Sequence, residues 1–262
     1  PFFLYVAHHC NHVPLQTPKN LYDSYKPLGL GENTTTTRAM IEEMDRGVGE
    51  ILDTLDKNGL TENTLVIFSS DNGGGERDGQ INGMYRGGKF NLMEGGIREP
   101  MLMRLPGCIP AGRVYNYPVW NLDFLPTILG ALGQDIPADI EGVNLIPYLT
   151  GKEKGAPHEA LFWKMPEVTG EYAVRAGDYK LVFTSVGRGL FDLAADPGET
   201  RDLRKEKPEI ARRLQALYDE WDGKNRPSLW GPAYNKKYND PRKSDNPLEN
   251  ADYNYSPTFG ND

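Results

Sequence analysis

The sequence predicts an α/β domain built on a mostly parallel sheet, followed by a small antiparallel α+β subdomain. Three observations carry this prediction. First, Leu65, Val66, Ile67 and Phe68 form an unbroken apolar run closed by Ser69-Ser70-Asp71-Asn72 and three glycines, the pattern of a buried strand ending at a ligand-facing sheet edge. Second, an apolar run over 2–7, a helical pattern over 38–57 and the run over 65–70 follow one another, the order of a right-handed βαβ crossover. Third, the texture changes near Ala156 to short strand-like runs separated by turns, as in an antiparallel meander.

Taken in order, Phe2 to Ala7 reads as a buried strand ending in His8-His9-Cys10-Asn11-His12-Val13-Pro14. His8 and His12 have the i,i+4 spacing of a helical zinc pair, but the run before them is strand-like and Pro14 disfavours a helix. A strand-end loop carrying an imidazole toward a cleft fits better, with a structural histidine as the alternative. Lys19 to Gly31 reads as loop, and Asn33 to Thr37 as a polar run able to cap a helix over Arg38–Lys57. Asn33-Thr34-Thr35 also matches a glycosylation sequon. That helix carries Ile41, Met44, Val48, Ile51 or Leu52, and Leu55 on one face, with Gly59 as its C-cap.

Asp71-Asn72 offers adjacent carboxylate and amide oxygens, which suit a hard cation, although Asp-Asn-Gly is also an ordinary Asx turn. Two Gly-Gly pairs, at 87–88 and 95–96, flank Lys89 and let backbone approach a ligand while an ammonium points inward. Met101 to Leu105 is a further strand, 119–132 a helix with Pro126 in its first turn, and 139–151 a loop with a short helix. Beyond residue 155 come strands near 160–163, 172–175, 180–183 and 189–193, then a helix over 208–221 with Ile210, Leu214, Leu217 and Trp221 on one face. The expected division is 1–155, 156–223 and a tail over 224–262 rich in Asn, Pro, Tyr, Lys and Asp.

Composition narrows the function classes. With 262 residues, 38% hydrophobic and 25% charged, the chain has the make-up of a globular protein able to bury a core. A net charge of −8 gives no support to nucleic acid or an anionic membrane surface as partner, and no apolar run reaches transmembrane length. Cys10 and Cys108 are too few for a disulfide framework or structural zinc and are expected to be buried free thiols.

The blocks PFFLYVAHHCNHVPLQTP, MIEEMDRGVGEILDTLDKNGL, TLVIFSSDNGG, GGKFNLMEGGIREP, NLDFLPTIL and LFDLAADPGETRDL, in this order, resemble the sulfatase family, and arylsulfatases in particular. The resemblance covers residues 1–223. It implies an alkaline-phosphatase-like α/β fold with a small C-terminal antiparallel domain, and hydrolysis of sulfate monoesters at a single calcium ion. It further implies that Asp71 and Asn72 are metal ligands, that His12 meets the sulfate and its leaving-group side, and that Lys89 holds sulfate oxygens. Such roles are chemically coherent, since a cation and an ammonium neutralise sulfuryl charge and an imidazole can protonate the departing oxygen. A small-molecule or carbohydrate sulfate ester is the implied partner, and periplasmic or secreted proteins are common in such a family.

One departure is large. The family nucleophile is a formylglycine made from the cysteine of C-x-P-S-R, and this chain contains no such motif. Cys108-Ile109-Pro110-Ala111-Gly112-Arg113 lacks the serine and sets the arginine one place late. The family's two other aspartate ligands have no counterpart either. The chain is therefore expected to be the C-terminal part of a sulfatase, with the first strands of its sheet missing and no turnover alone. Two other readings stand beside this one: a phosphate or phosphonate ester hydrolase of the same superfamily, and a sulfatase-like binding protein without a nucleophile. Substrate choice is expected in the loop over 74–86 and the aromatic tail, where Tyr234, Tyr238, Tyr253 and Tyr255 are read first as surface packing, with stacking on a sugar or aryl ring as the alternative.

Overall fold

Backbone placement is described for residues 1–75, 82–165 and 170–226 of this computed structural model. The chain divides into two compact units, Pro1–Glu159 and Ala160–Asp262. The tail tyrosines and residues 76–81 of the 74–86 loop lie outside the described residues.

The first unit opens with an expectation overturned. Phe2 to Ala7 has no regular secondary structure and is exposed, with Phe3 at 79% and Tyr5 at 81%. An apolar run becomes a buried strand only where a neighbouring strand takes up its amides, and these residues have no ladder partner among the described strands. The stretch expected as loop after Lys19 is instead helical: α1 (Lys19–Tyr25) starts behind Pro18, a residue that caps without needing a donor, and carries the i,i+4 ion pair Lys19–Asp23.

Helix α2 (Glu32–Lys57) begins six residues before the expected start, with Gly31 at its N-cap. The threonines read as a cap lie inside it, because Thr36 turns its hydroxyl back to the Glu32 carbonyl at 2.9 Å and Thr35 and Thr37 are buried. Its C-terminus closes as a Schellman turn: Gly59 is left-handed at φ +65°, its N–H bonding Asp56 O, while Leu60 N–H bonds Leu55 O.

Strand β1 (Val66–Ser69) pairs antiparallel with β2 (Met101–Arg104), in the register Val66 opposite Arg104 and Ser69 opposite Met101. The mixed α/β class holds, but the parallel pairing expected here is not what joins the described strands. A parallel neighbour needs a crossover helix between the strands. Between β1 and β2 the described chain has only the four-residue α3 (Glu94–Ile97), so it doubles back. Ile41, Met44, Val48 and Leu52 of α2 face Val66, Phe68 and Leu102 of this ribbon across an open groove of about 770 Å³.

Helix α4 (Phe124–Ala131) follows a single 3-10 turn and places Pro126 in its first turn, as predicted. It is anchored by Asp123, fully buried, which accepts hydrogen bonds from Trp120 N–H at 3.1 Å, Val143 N–H at 2.8 Å and the His158 ring at 2.9 Å. The fourth histidine of the chain thus has a structural partner. Helix α5 (Ile146–Thr150) ends at left-handed Gly151. Both cysteines are free, yet only Cys10 is partly buried; Cys108 is exposed, contrary to expectation, on the turn after β2.

The second unit is a meander in sequence order: β3 (Leu161–Lys164), β4 (Tyr172–Ala176), β5 (Tyr179–Phe183) and β6 (Arg188–Asp192), each antiparallel to the next. Helix α6 (Pro208–Asp222) lays Leu214 and Tyr218 on Val174, Leu181 and Leu190. Lys180 and Glu199 form a fully buried ion pair in this unit, at 2.9 Å.

Candidate functional site

The candidate site sits where β1 ends. Ser69 and Ser70 are followed by the Asp71-Asn72 turn, in which the Asn72 amide donates to Asp71 Oδ2 at 2.6 Å and the Ser70 hydroxyl to Asn72 O at 3.1 Å. Asp71 is exposed and Asn72 half-buried.

Glycines then allow three segments to interlock. Gly73 N–H donates to Gly96 O at 3.1 Å, Lys89 N–H to Gly74 O at 3.2 Å, and Gly95 N–H to Arg86 O at 2.8 Å. A Cβ on Gly73 would lie 1.8 Å from Gly95 O, and one on Gly88 only 2.4 Å from Gly74 O. No side chain fits there, which explains the glycines in physical terms. The backbone around Asp71-Asn72 and the backbone of Lys89 are thereby fixed against each other. Lys89 is half-buried, its ammonium 5.4 Å from the centre of the Phe90 ring.

Sequence reasoning missed three contributors. Asn82 acts as a clasp: its oxygen accepts Gly74 N–H at 2.8 Å while its amide donates to Gly74 O and Gly87 O at 3.0 and 2.9 Å. Glu94, only 2% exposed, stands 3.6 Å from Arg98, whose guanidinium lies 4.7 Å over the Tyr85 ring. Glu99 stands beside Asp71 and Ser70. Burial pushes its carboxyl up, the Asp71 charge pushes it the same way, and a hydrogen bond from Ser70 opposes both. Asn82 and Glu94 had no distinguishing local pattern, whereas Glu99 could have been found by pairing the two strands antiparallel.

His12 is placed differently. It is exposed on the segment after residue 7, with Nδ1 2.9 Å from Val13 O and its ring 6.0 Å from that of His9. Among the described residues no hydrogen bond or ion pair joins it to Asp71, Asn72 or Lys89. The structure therefore brings the Asp71-Asn72 turn and Lys89 together and leaves His12 apart. No three His, Cys, Asp or Glu side chains among the described residues are grouped to hold a metal ion.

Known proteins align with this chain. The sulfatase family model matches residues 1–134, and that of the C-terminal region of N-sulphoglucosamine sulphohydrolase matches 86–222. The chain is 47% identical over 132 residues to steryl-sulfatase of Rattus norvegicus, covering 47% of this chain and 23% of that protein. It is 34% identical over 265 residues to arylsulfatase H of Canis lupus familiaris, covering 84% of this chain and 44% of the relative. The crystal structure of Ps i-CgsB in complex with k-i-k-neocarrahexaose superposes with a TM-score of 0.80 at 30% identity, over 88% of this chain and 52% of that one. The chain thus spans less than half the length of either curated relative. Interlocked glycine turns, a mixed α/β unit with an antiparallel meander after it, and family models matched from residue 1 to 222 place this chain in the sulfatase family.

Proposed function

We propose that the protein hydrolyses sulfate monoesters borne on carbohydrate or other small molecules, and that these 262 residues carry one side of the active site. The observation that supports this most is the backbone lock that holds the Asp71-Asn72 turn against Lys89. In this reading Lys89 binds sulfuryl oxygens, its backbone tied to Gly74 at 3.2 Å beside the Asp71-Asn72 turn. His12 serves as proton donor to the departing oxygen, which requires its segment to reach the same edge.

Asp71 and Asn72 supply the carboxylate and amide oxygens that a calcium ion takes, on a turn whose backbone the glycine contacts hold in place. When bound, the ion supplies positive charge to the sulfuryl oxygens as the bond to the leaving group breaks. Further ligands and the nucleophile lie outside this chain, since it spans 44% of arylsulfatase H and contains no C-x-P-S-R. The carbohydrate class of substrate rests on Ps i-CgsB, whose complex holds a neocarrahexaose.

Calorimetry with inorganic sulfate in calcium chloride tests this reading. The chain is expected to bind sulfate in preference to methylphosphonate, and Lys89→Ala to weaken that binding at least tenfold, about 1.4 kcal/mol. The isolated chain is expected to release no phenol from an aryl sulfate. Unchanged sulfate affinity in Lys89→Ala, or a preference for the phosphonate, would overturn the assignment.

A further inference from the structure

Lys89 and Phe90 are the central residues of a tight turn, closed by Asn91 N–H to Gly88 O at 3.1 Å. Phe90 holds the second central position at φ +68°, left-handed backbone that such turns give to glycine or asparagine. A Cβ there crowds the following carbonyl. A bulky side chain kept in this region is strained, and such strain clusters at working sites. Glycines stand at 87, 88, 95 and 96 around the turn, yet phenylalanine stands at 90.

Burial does not account for the ring. Leu92 and Met93, two and three residues on, are 6% and 0% exposed, so this segment has a core side, whereas Phe90 is 64% exposed. A single exposed apolar residue is ordinary; one held out on strained backbone beside a binding cation is not. The ring centre lies 5.4 Å from the Lys89 ammonium. Lys89 N–H to Gly74 O at 3.2 Å ties the turn to the segment that follows Asp71-Asn72. The nearby aromatic Tyr85 is half-buried and already carries the Arg98 guanidinium 4.7 Å over its ring.

We propose that Phe90 is a specificity-determining residue, its ring stacking against the apolar C–H face of the sugar whose sulfate Lys89 holds. The inference rests on the assignment of Lys89 to the sulfuryl oxygens and of carbohydrate as the substrate class, and adds the contact to the part of the substrate that leaves. The two neighbours on the turn divide the work: the ammonium takes the charged group, and the aromatic surface takes the ring that bears it.

The test is calorimetry on the whole 262-residue chain in calcium chloride, with galactose 6-sulfate and methyl sulfate as probes of equal charge. The natural chain is expected to bind the sugar sulfate about tenfold more tightly than methyl sulfate, and Phe90→Gly to lose that factor while binding methyl sulfate as before. Phe90→Trp keeps the preference. Thermal melting separates this role from a structural one: glycine relieves the left-handed backbone, so Phe90→Gly is expected to melt no lower than the natural chain. A lower melting point with both affinities reduced alike assigns Phe90 to folding and overturns the proposal. Unchanged sugar-sulfate affinity in Phe90→Gly, or phenyl sulfate bound more tightly than the sugar sulfate, also overturns it and leaves the sulfate seat standing. If Lys89→Ala changes neither affinity, the seat itself fails, and the role of Phe90 with it.

Discussion

In residues 160–226 the apolar side chains close on one another. Val174, Leu181, Leu190 and Leu214 are buried to within 2% between the meander and α6, and Phe162 stacks on Trp221 at 5.1 Å. In residues 1–159 much of the apolar surface faces outward instead: Leu102 is 62% exposed, Phe2 to Val6 are all exposed, and a groove separates α2 from the ribbon. The second unit meets its own need for burial; the first is arranged around close backbone contacts at a site. The two units can therefore be perturbed separately.

The largest effect is expected at the buried ion pair of the second unit. Lys180→Met leaves Glu199 charged and enclosed without its cation, and breaking such a pair costs about 3–5 kcal/mol. Urea unfolding followed by the Trp163 and Trp221 emission of that unit reads this directly, and a loss below about 1 kcal/mol would show that the pair does not anchor the meander.

A smaller and local effect is expected in the first unit. In Gly73→Ala the new methyl carbon meets Gly95 O at 1.8 Å, an overpacking that costs about 1–3 kcal/mol. Hydrogen exchange at the Gly73, Lys89 and Gly95 amides should accelerate while strands β3 to β6 keep their protection. Faster exchange in both units would erase the distinction between them.

The smallest effect is a pH dependence confined to the second unit. Burial alone would raise the Asp202 carboxyl, but hydrogen bonds from the Arg204 side chain and backbone and from Leu190 N–H outweigh it and hold it at about 2. A carboxyl lower in the folded than in the unfolded chain stabilises above the ordinary carboxylate range, and that contribution fades as pH falls toward 2. The stability gap between the natural chain and Asp202→Asn should therefore be full at neutral pH and close between about pH 4 and 2. A gap independent of pH would deny the carboxylate this role.

Legibility followed the same division. Helix α6, the four-stranded meander and most of α2 could be read from periodicity and turn residues, because their partners lie nearby in sequence. The pairing of Val66–Ser69 could not, since an apolar run shows that a strand seeks burial and not which neighbour supplies it. Residues 2–7 make the same point: Phe3 and Tyr5 look like core and stand in solvent. At the site, Asp71, Asn72 and Lys89 were visible because glycines flank them. Asn82 and Glu99 were not, because each acts across to another segment, through bonds to Gly74 and Gly87 or by facing Asp71.

That Asp71-Asn72 and Lys89 form one seat for a cation and a sulfuryl group is tested most directly by reciprocal titration. Calcium affinity is measured with and without inorganic sulfate, and sulfate affinity with and without calcium, in the natural chain and in Lys89→Ala. Ligands sharing one seat must tighten each other by the same factor, expected at about tenfold in the natural chain and near unity in Lys89→Ala. Calcium and sulfate that bind the natural chain independently of each other would contradict the account.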